Sequence, residues 1–178
     1  RPQFATVRYK VMDRAKETTP HGKVTFRSVT DKIAASQITV LRIEKKPEEV
    51  SINEADVLVV AEQGIAEKED LALVKELAHL LGGEYACTRP MVEKGWCDYT
   101  RQIGLSGRTV KPKLIITCGV SGAIQFTACM DSSERIVAIN SDKNAPIFKT
   151  AHYGIVGDLY EILPDLIEKI KGGRENAV

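Results

Sequence analysis

No apolar run in this chain approaches the roughly 20 residues that a membrane-crossing helix needs, and no signal-peptide pattern opens it. Neither sign of charge dominates: 25 Lys and Arg stand against 24 Asp and Glu, a net +1. With no long basic run and no aromatics interleaved with basic residues, nucleic acid and membrane surfaces are poor candidate partners. Cysteine is sparse. Cys87, Cys97, Cys118 and Cys129 form no CxxC and no metal-type spacing with His21, His79 and His152. They are expected as reduced, mostly buried thiols, and none of the histidines as a ligand, His79 lying at a helix surface or core edge. The chain opens on Arg1 rather than Met, so an upstream segment is expected to have been lost or left out.

What is present suits one compact α/β domain with an appendage: 178 residues, 43% hydrophobic, are enough for a core without disulfides or metals. Residues 1–50 read as strand-rich. "FATVRYKVM", "GKVTFRSVT" and "ITVLRIEKK" are β-branched and partly alternating, with "TTPHG" as a turn. Residues 51–178 alternate strand and helix instead. "DVLVVAE", "EYACT", "KLIITCG" and "RIVAINSD" are strands. "EKEDLALVKELAHLLGG" is an amphipathic helix presenting Leu71, Leu73, Val74, Leu77, Leu80 and Leu81, and "SGAIQFTACM" and "DLYEILPDLIEKIK" are further helices. Pro164 predicts a kink or a restart in the last of these.

Strands apolar on both faces and separated by helices predict a mainly parallel sheet with helices on both faces. Ligands of such sheets sit beyond the carboxyl ends of the strands, which here read "AEQG", "CTRP", "CGVSG" and "INSD". In "CGVSGAIQ", Gly119 permits a sharp turn, Gly122 lets a ligand approach the backbone, and Ser121 can cap the next helix. Free N–H groups there would seat a pyrophosphate; an ordinary capped turn is the alternative. A nucleophile elbow would need glycine at Ala123, and no suitable His and Asp follow. "QIGLSGRTVKP" is a glycine-bearing loop, neither a P-loop nor a Rossmann fingerprint. With "RPMVEKGWCDY" before it, it makes a long aperiodic stretch of the functional or mobile kind, with Trp96 as a packing anchor. Arg89 suits an anion, though taken alone it suits an ordinary surface better; Asn140, Ser141 and Asp142 suit an Asx turn, and Asp158 a helix start.

Taken together, "GLSGRTVKP", "GVSGAIQF", "IVAINSDKNAPIF" and "HYGIVGDLYEILPDLIEKI", in this order, closely resemble the C-terminal FAD-binding domain of the electron-transferring flavoprotein alpha subunit. "RPQFATVRYKVM" resembles the end of that subunit's N-terminal domain. The resemblance implies a Rossmann-like FAD-binding domain over 51–178, preceded by a strand-rich N-terminal remnant over 1–50. It implies electron transfer through non-covalently bound FAD, with a beta subunit as partner and flavin dehydrogenases such as acyl-CoA dehydrogenase as electron donors. Ser121, Gly122, Ala123, Ile124 and Gln125 match the pyrophosphate and ribityl turn. Gln102, Ile103, Gly104, Leu105 and Ser106 match the loop along the flavin, Ser106 standing for a hydroxyl at N5. Thr88 and Arg89 match the flavin's hydroxyl and arginine, and Asn140, Asp158 and Leu159 the adenosine end. Three positions depart from the family: Gln63 for an arginine, Leu105 for a glutamine, and Phe126 for a histidine that faces the flavin. Bacterial cytoplasm is the expected location, with the mitochondrial matrix as the other. A nicotinamide-dinucleotide domain and a docking module without cofactor are the rival readings. Absence of G-x-G-x-x-G argues against the first.

Overall fold

The computed structural model describes residues 3–6, 12, 16–19, 22–26, 28, 38–44 and 51–175. The chain divides into two units, Asp13–Glu49 and Arg1–Met12 with Val50–Val178. In the first unit the described residues are exposed and carry no strand, and Arg42 pairs with Glu44 at 2.9 Å. The strands expected over 4–12, 22–30 and 38–46 lie partly outside the described residues, as do Pro20 and His21 of the expected turn.

The second unit holds a five-stranded, all-parallel sheet of β1 (Val57–Ala61), β2 (Glu84–Cys87), β3 (Leu114–Cys118), β4 (Arg135–Asn140) and β5 (Tyr153–Val156). The strand order is β2-β1-β3-β4-β5. Register runs Val59↔Tyr85 on one side of β1 and Val59↔Ile116 on the other. Side chains alternate between two cores, as the pleat requires. Val59, Ala61, Ile116 and Cys118 face a core shared with the two long helices, α1 (Leu71–Leu80) and α4 (Leu159–Glu175). Leu58, Val60, Ile115 and Ala138 face a core closed by the short α3 (Ile124–Thr127), through Phe126, and by a 3₁₀ turn at Pro146–Lys149, through Ile147. Each Leu or Ile so buried contributes about 1.5–3 kcal/mol.

Helix α1 buries Leu71, Val74, Leu77 and Ala78, the i, i+3, i+6, i+7 stripe. It stops before Gly82, whose φ is +67°. On the same face α4 buries Leu163 and Ile167, and Lys171 reaches Glu76 of α1 at 2.6 Å. Pro164 lies inside α4 without ending it. One i→i−4 bond is missing there, and the helix is carried past it by the buried side chains on either side.

Two elements go beyond the sequence reading. Arg89–Glu93 forms a short helix, α2, with Pro90 in its first turn, where a missing N–H costs nothing. β5 has four exposed residues and an internal Gly154, so no burial pattern announces it. It exists because the free edge of β4 offers it hydrogen bonds in the register Val137↔Tyr153. No described helix is long and apolar enough to cross a membrane.

Candidate functional site

From β1 the chain moves outward to β2, then returns to lay β3 on the other side of β1. Loops leaving β1 and β3 therefore part, and a crevice opens at their carboxyl ends. Gly64 and Gly119 pin the two loops together backbone to backbone, the Gly64 N–H donating to Gly119 O at 3.3 Å. Gly119 has φ +65°, and a Cβ there would lie 2.5 Å from Gly64 Cα. Leu159 packs against this pair from the α4 side, a Cβ on Gly64 standing 3.0 Å from its Cδ1.

Beyond that contact the turn departs from the expected cap. α3 begins at Ile124 with Ala123 before it, and no side chain caps it. Gly122 has φ +90°, and a Cβ on it would fall 2.2 Å from Ile147 N. The close approach that demands glycine is thus that of the Pro146–Lys149 turn, whose Ile147 N–H donates to Ser121 O at 3.1 Å. This bond keeps residues 120–123 out of the helix. The N–H of Ser121 donates to the carboxylate of Glu62.

The crevice is a cleft of about 680 Å³, in the range of small-molecule sites. Thr88 and Arg89 line it from the end of β2, and Gln102, Ile103, Gly104, Leu105 and Ser106 from the loop that follows. Ser121, Ala123, Gln125 and Phe126 line it from the turn after β3, and Asn140 and Asp142 from the end of β4. Four expected residues do not line it. Gly122 packs against Ile147, and Ile124 is 74% exposed. Leu159 belongs to the core under α4, and Asp158 Oδ1 accepts from Tyr160 N at 2.8 Å to start that helix. Glu62, Pro90, Gly119, Ala145 and Pro146 line the cleft without having been named as site residues, and so does Gln63. "AEQG" at a strand end was the available signal for Glu62.

The loop through 102–108 is held rather than loose. Ile103 N donates to Cys87 O at 2.9 Å, continuing the sheet edge, and Arg108 N donates to Gln102 O at 2.8 Å. Buried Gln102 donates through Nε2 to Ser106 Oγ at 2.9 Å, and Tyr99 donates to Ser106 O at 2.6 Å. Leu105 N donates to Gln125 O at 3.0 Å, so this loop and the turn after β3 move as one wall. Asn140 spans the opposite end: Nδ2 donates to Val120 O and Oδ1 accepts from Asp142 N, both at 2.9 Å. That is the expected Asx turn, here also tied to the β3 loop.

Arg89 is the single cation among the described lining residues, and its Nε meets Glu93 at 2.7 Å on an exposed face. Thr88 is 2% exposed, and its hydroxyl has no hydrogen-bond partner. A buried hydroxyl left so costs about 1–3 kcal/mol, and a ligand acceptor in the cleft would remove that cost. The described residues hold no cluster of His, Cys, Asp or Glu fit for a metal.

A cleft at the switch point of a parallel sheet is where nucleotide cofactors bind, and comparison with known proteins gives the family it resembles. The family described as electron transfer flavoprotein FAD-binding domain matches residues 51–131. Over those residues this chain matches the electron transfer flavoprotein alpha family. It is 50% identical over 179 residues to the lactate dehydrogenase (NAD(+),ferredoxin) subunit LctC of Acetobacterium woodii, covering 99% of this chain and 42% of that protein. It is 45% identical to the electron transfer flavoprotein subunit alpha of Thermoanaerobacterium thermosaccharolyticum, over 96% of this chain and 52% of that one. Protein FixB of Clostridium saccharobutylicum is likewise 45% identical, with the same coverage of 96% and 52%. The chain thus spans about half the length of the curated relatives it matches.

Proposed function

We propose that the cleft binds FAD non-covalently and that the chain serves electron transfer in partnership with a beta subunit. The observation that carries this is Thr88: a buried, unpartnered hydroxyl on the wall of a cleft at the switch point of a family described by its FAD-binding domain. Thr88, Arg89 and the Gln102–Ser106 loop would hold the flavin end. Ser121, Ala123 and Gln125 would hold the middle of the cofactor, with Gly122 and Ile124 shaping the turn that presents them. Asn140 would hold the adenosine end, with Asp158 and Leu159 behind it. FAD, when bound there, supplies electron acceptance and donation, chemistry no side chain of this chain can provide. The chain's own part is to bind, orient and shield. Phe126, 4% exposed, gives the wall an apolar surface, and Arg89 places a positive charge at the rim. Flavin dehydrogenases of the acyl-CoA dehydrogenase kind would donate electrons to the assembled protein, in a bacterial cytoplasm.

Titration of the purified chain with FAD, alone and with the beta subunit, tests this through quenching of flavin fluorescence. Saturable quenching is expected, and Thr88→Val is expected to weaken FAD about five- to tenfold, the loss of one hydrogen bond. The same substitution should leave the FAD-free melting temperature unchanged or higher, because it deletes an unsatisfied buried group. No binding under either condition overturns the reading.

A further inference from the structure

Glu62 follows β1 and lines the cleft, and 59 positions later Ser121 presents its N–H to the carboxylate. The side chain is 7% exposed, and no described lysine or arginine is paired with it. A buried carboxylate without a cation must be met by backbone donors, and the turn after β3 supplies one. That N–H lies in the segment which, on the flavin reading above, receives the cofactor's pyrophosphate. Carboxylate and phosphate oxygens accept from the same kind of donor, and both are negative. In a cleft partly closed to water their repulsion is poorly screened. Both groups cannot hold that donor at once. Thr88's buried, unpartnered hydroxyl, also in the cleft lining, points independently to a ligand acceptor there.

We propose that Glu62 is an internal anion: it takes the Ser121 N–H of the phosphate seat and competes with the phosphate groups of an incoming ligand. The proposal takes the ligand's identity from the flavin reading. The competition itself holds for any phosphate-bearing molecule at the Ser121 N–H. Binding then requires the carboxylate to give up the Ser121 N–H and swing out, so affinity is lower than the remaining contacts would give. A chain with an uncharged side chain here should bind without that opposing step.

Glu62→Gln keeps the size of the side chain and an acceptor for Ser121 while removing the charge; Glu62→Ala removes both. Both variants are expected to bind FAD about tenfold more tightly than the unsubstituted chain or better, with the gain larger for FAD than for riboflavin, which carries no phosphate. Inorganic pyrophosphate is expected to raise the melting temperature of Glu62→Gln and to leave the unsubstituted chain nearly unmoved. Equal or weaker FAD binding by both variants, beside measurable binding by the unsubstituted chain, overturns the competition and leaves the flavin reading standing. If no form of the chain binds FAD but pyrophosphate still stabilises only the variants, the competition stands and the flavin reading falls. If neither molecule acts on any form, both fall.

Discussion

Tyr160 shows what a single side chain does for this fold. Its hydroxyl donates to Asp70 Oδ2 at 2.6 Å and accepts from Ala66 N at 2.9 Å, fastening the first turn of α4 to the loop that leads into α1. Burial first, then the bond to Asp70, holds its pKa above the ordinary 10.0. A group whose pKa is higher folded than unfolded stabilises fully below the unfolded value and loses that contribution as pH rises through the folded one. Tyr160→Phe is therefore expected to cost about 0.5–1 kcal/mol at pH 8, the low part of the hydrogen-bond range because the residue is partly exposed. The deficit should shrink as pH is raised past the unfolded value of 10.0 and on through the higher folded one. Urea denaturation of both proteins across that range checks it; a deficit that persists undiminished at high pH would break the link to titration. Asp70 and Tyr160 lie 90 positions apart, so neither composition nor periodicity could have paired them.

At the scale of elements, the turn after β3 and the 3₁₀ turn at Pro146–Lys149 are locked by a glycine. The motif around Gly122 predicts a close approach to the backbone, expected of a ligand. Ile147 is what arrives there, its backbone N and Cα 2.2 Å and 2.5 Å from where a Cβ would stand. Gly122→Ala is expected to destabilise the chain by about 2–4 kcal/mol, since it forces backbone against backbone at a positive φ. A melting curve or denaturant midpoint reads this directly, and a shift smaller than that of a typical surface substitution would count against the packing account. Elements with two-sided apolar runs, such as "VLVVA" and "LIITC", were legible as strands. β5 was not, because its residues are all exposed and its only reason to be extended is the edge of β4. α3 was expected to be long and proved four residues long, because the bond from Ile147 to Ser121 keeps the preceding turn extended.

For the whole molecule, burial sets the reactivity of the thiols. Burial pushes Cys118 up to about 12. The side-chain hydrogen bond between Cys87 and Cys97, followed by burial, pushes Cys87 up, while the same bond brings Cys97 down. At pH 8 the native chain should therefore be alkylated first at Cys97, with Cys118 protected until global unfolding. Site-resolved mass spectrometry after timed iodoacetamide exposure, with and without denaturant, measures the order. Cys118 reacting as fast as Cys97 in the native chain would contradict it. The absence of CxxC in the sequence predicted reduced, buried thiols, and all four are free and buried. Which of them are neighbours was invisible, because Cys87 and Cys97 meet only after the chain folds back through α2.

The sequence by itself determined the α/β class, the strand ends that would face a ligand and the family, because each rests on local pattern: apolar runs of strand length, glycine-bearing turns, short motifs in order. Tertiary structure alone decided that Gly64 and Gly119 touch, that Gly122 serves Ile147, that Thr88 is buried without a partner, and that Glu62 reaches Ser121. Those facts depend on where the sheet order reverses. Strand order follows from how the crossovers pack, and no stretch of sequence encodes it locally.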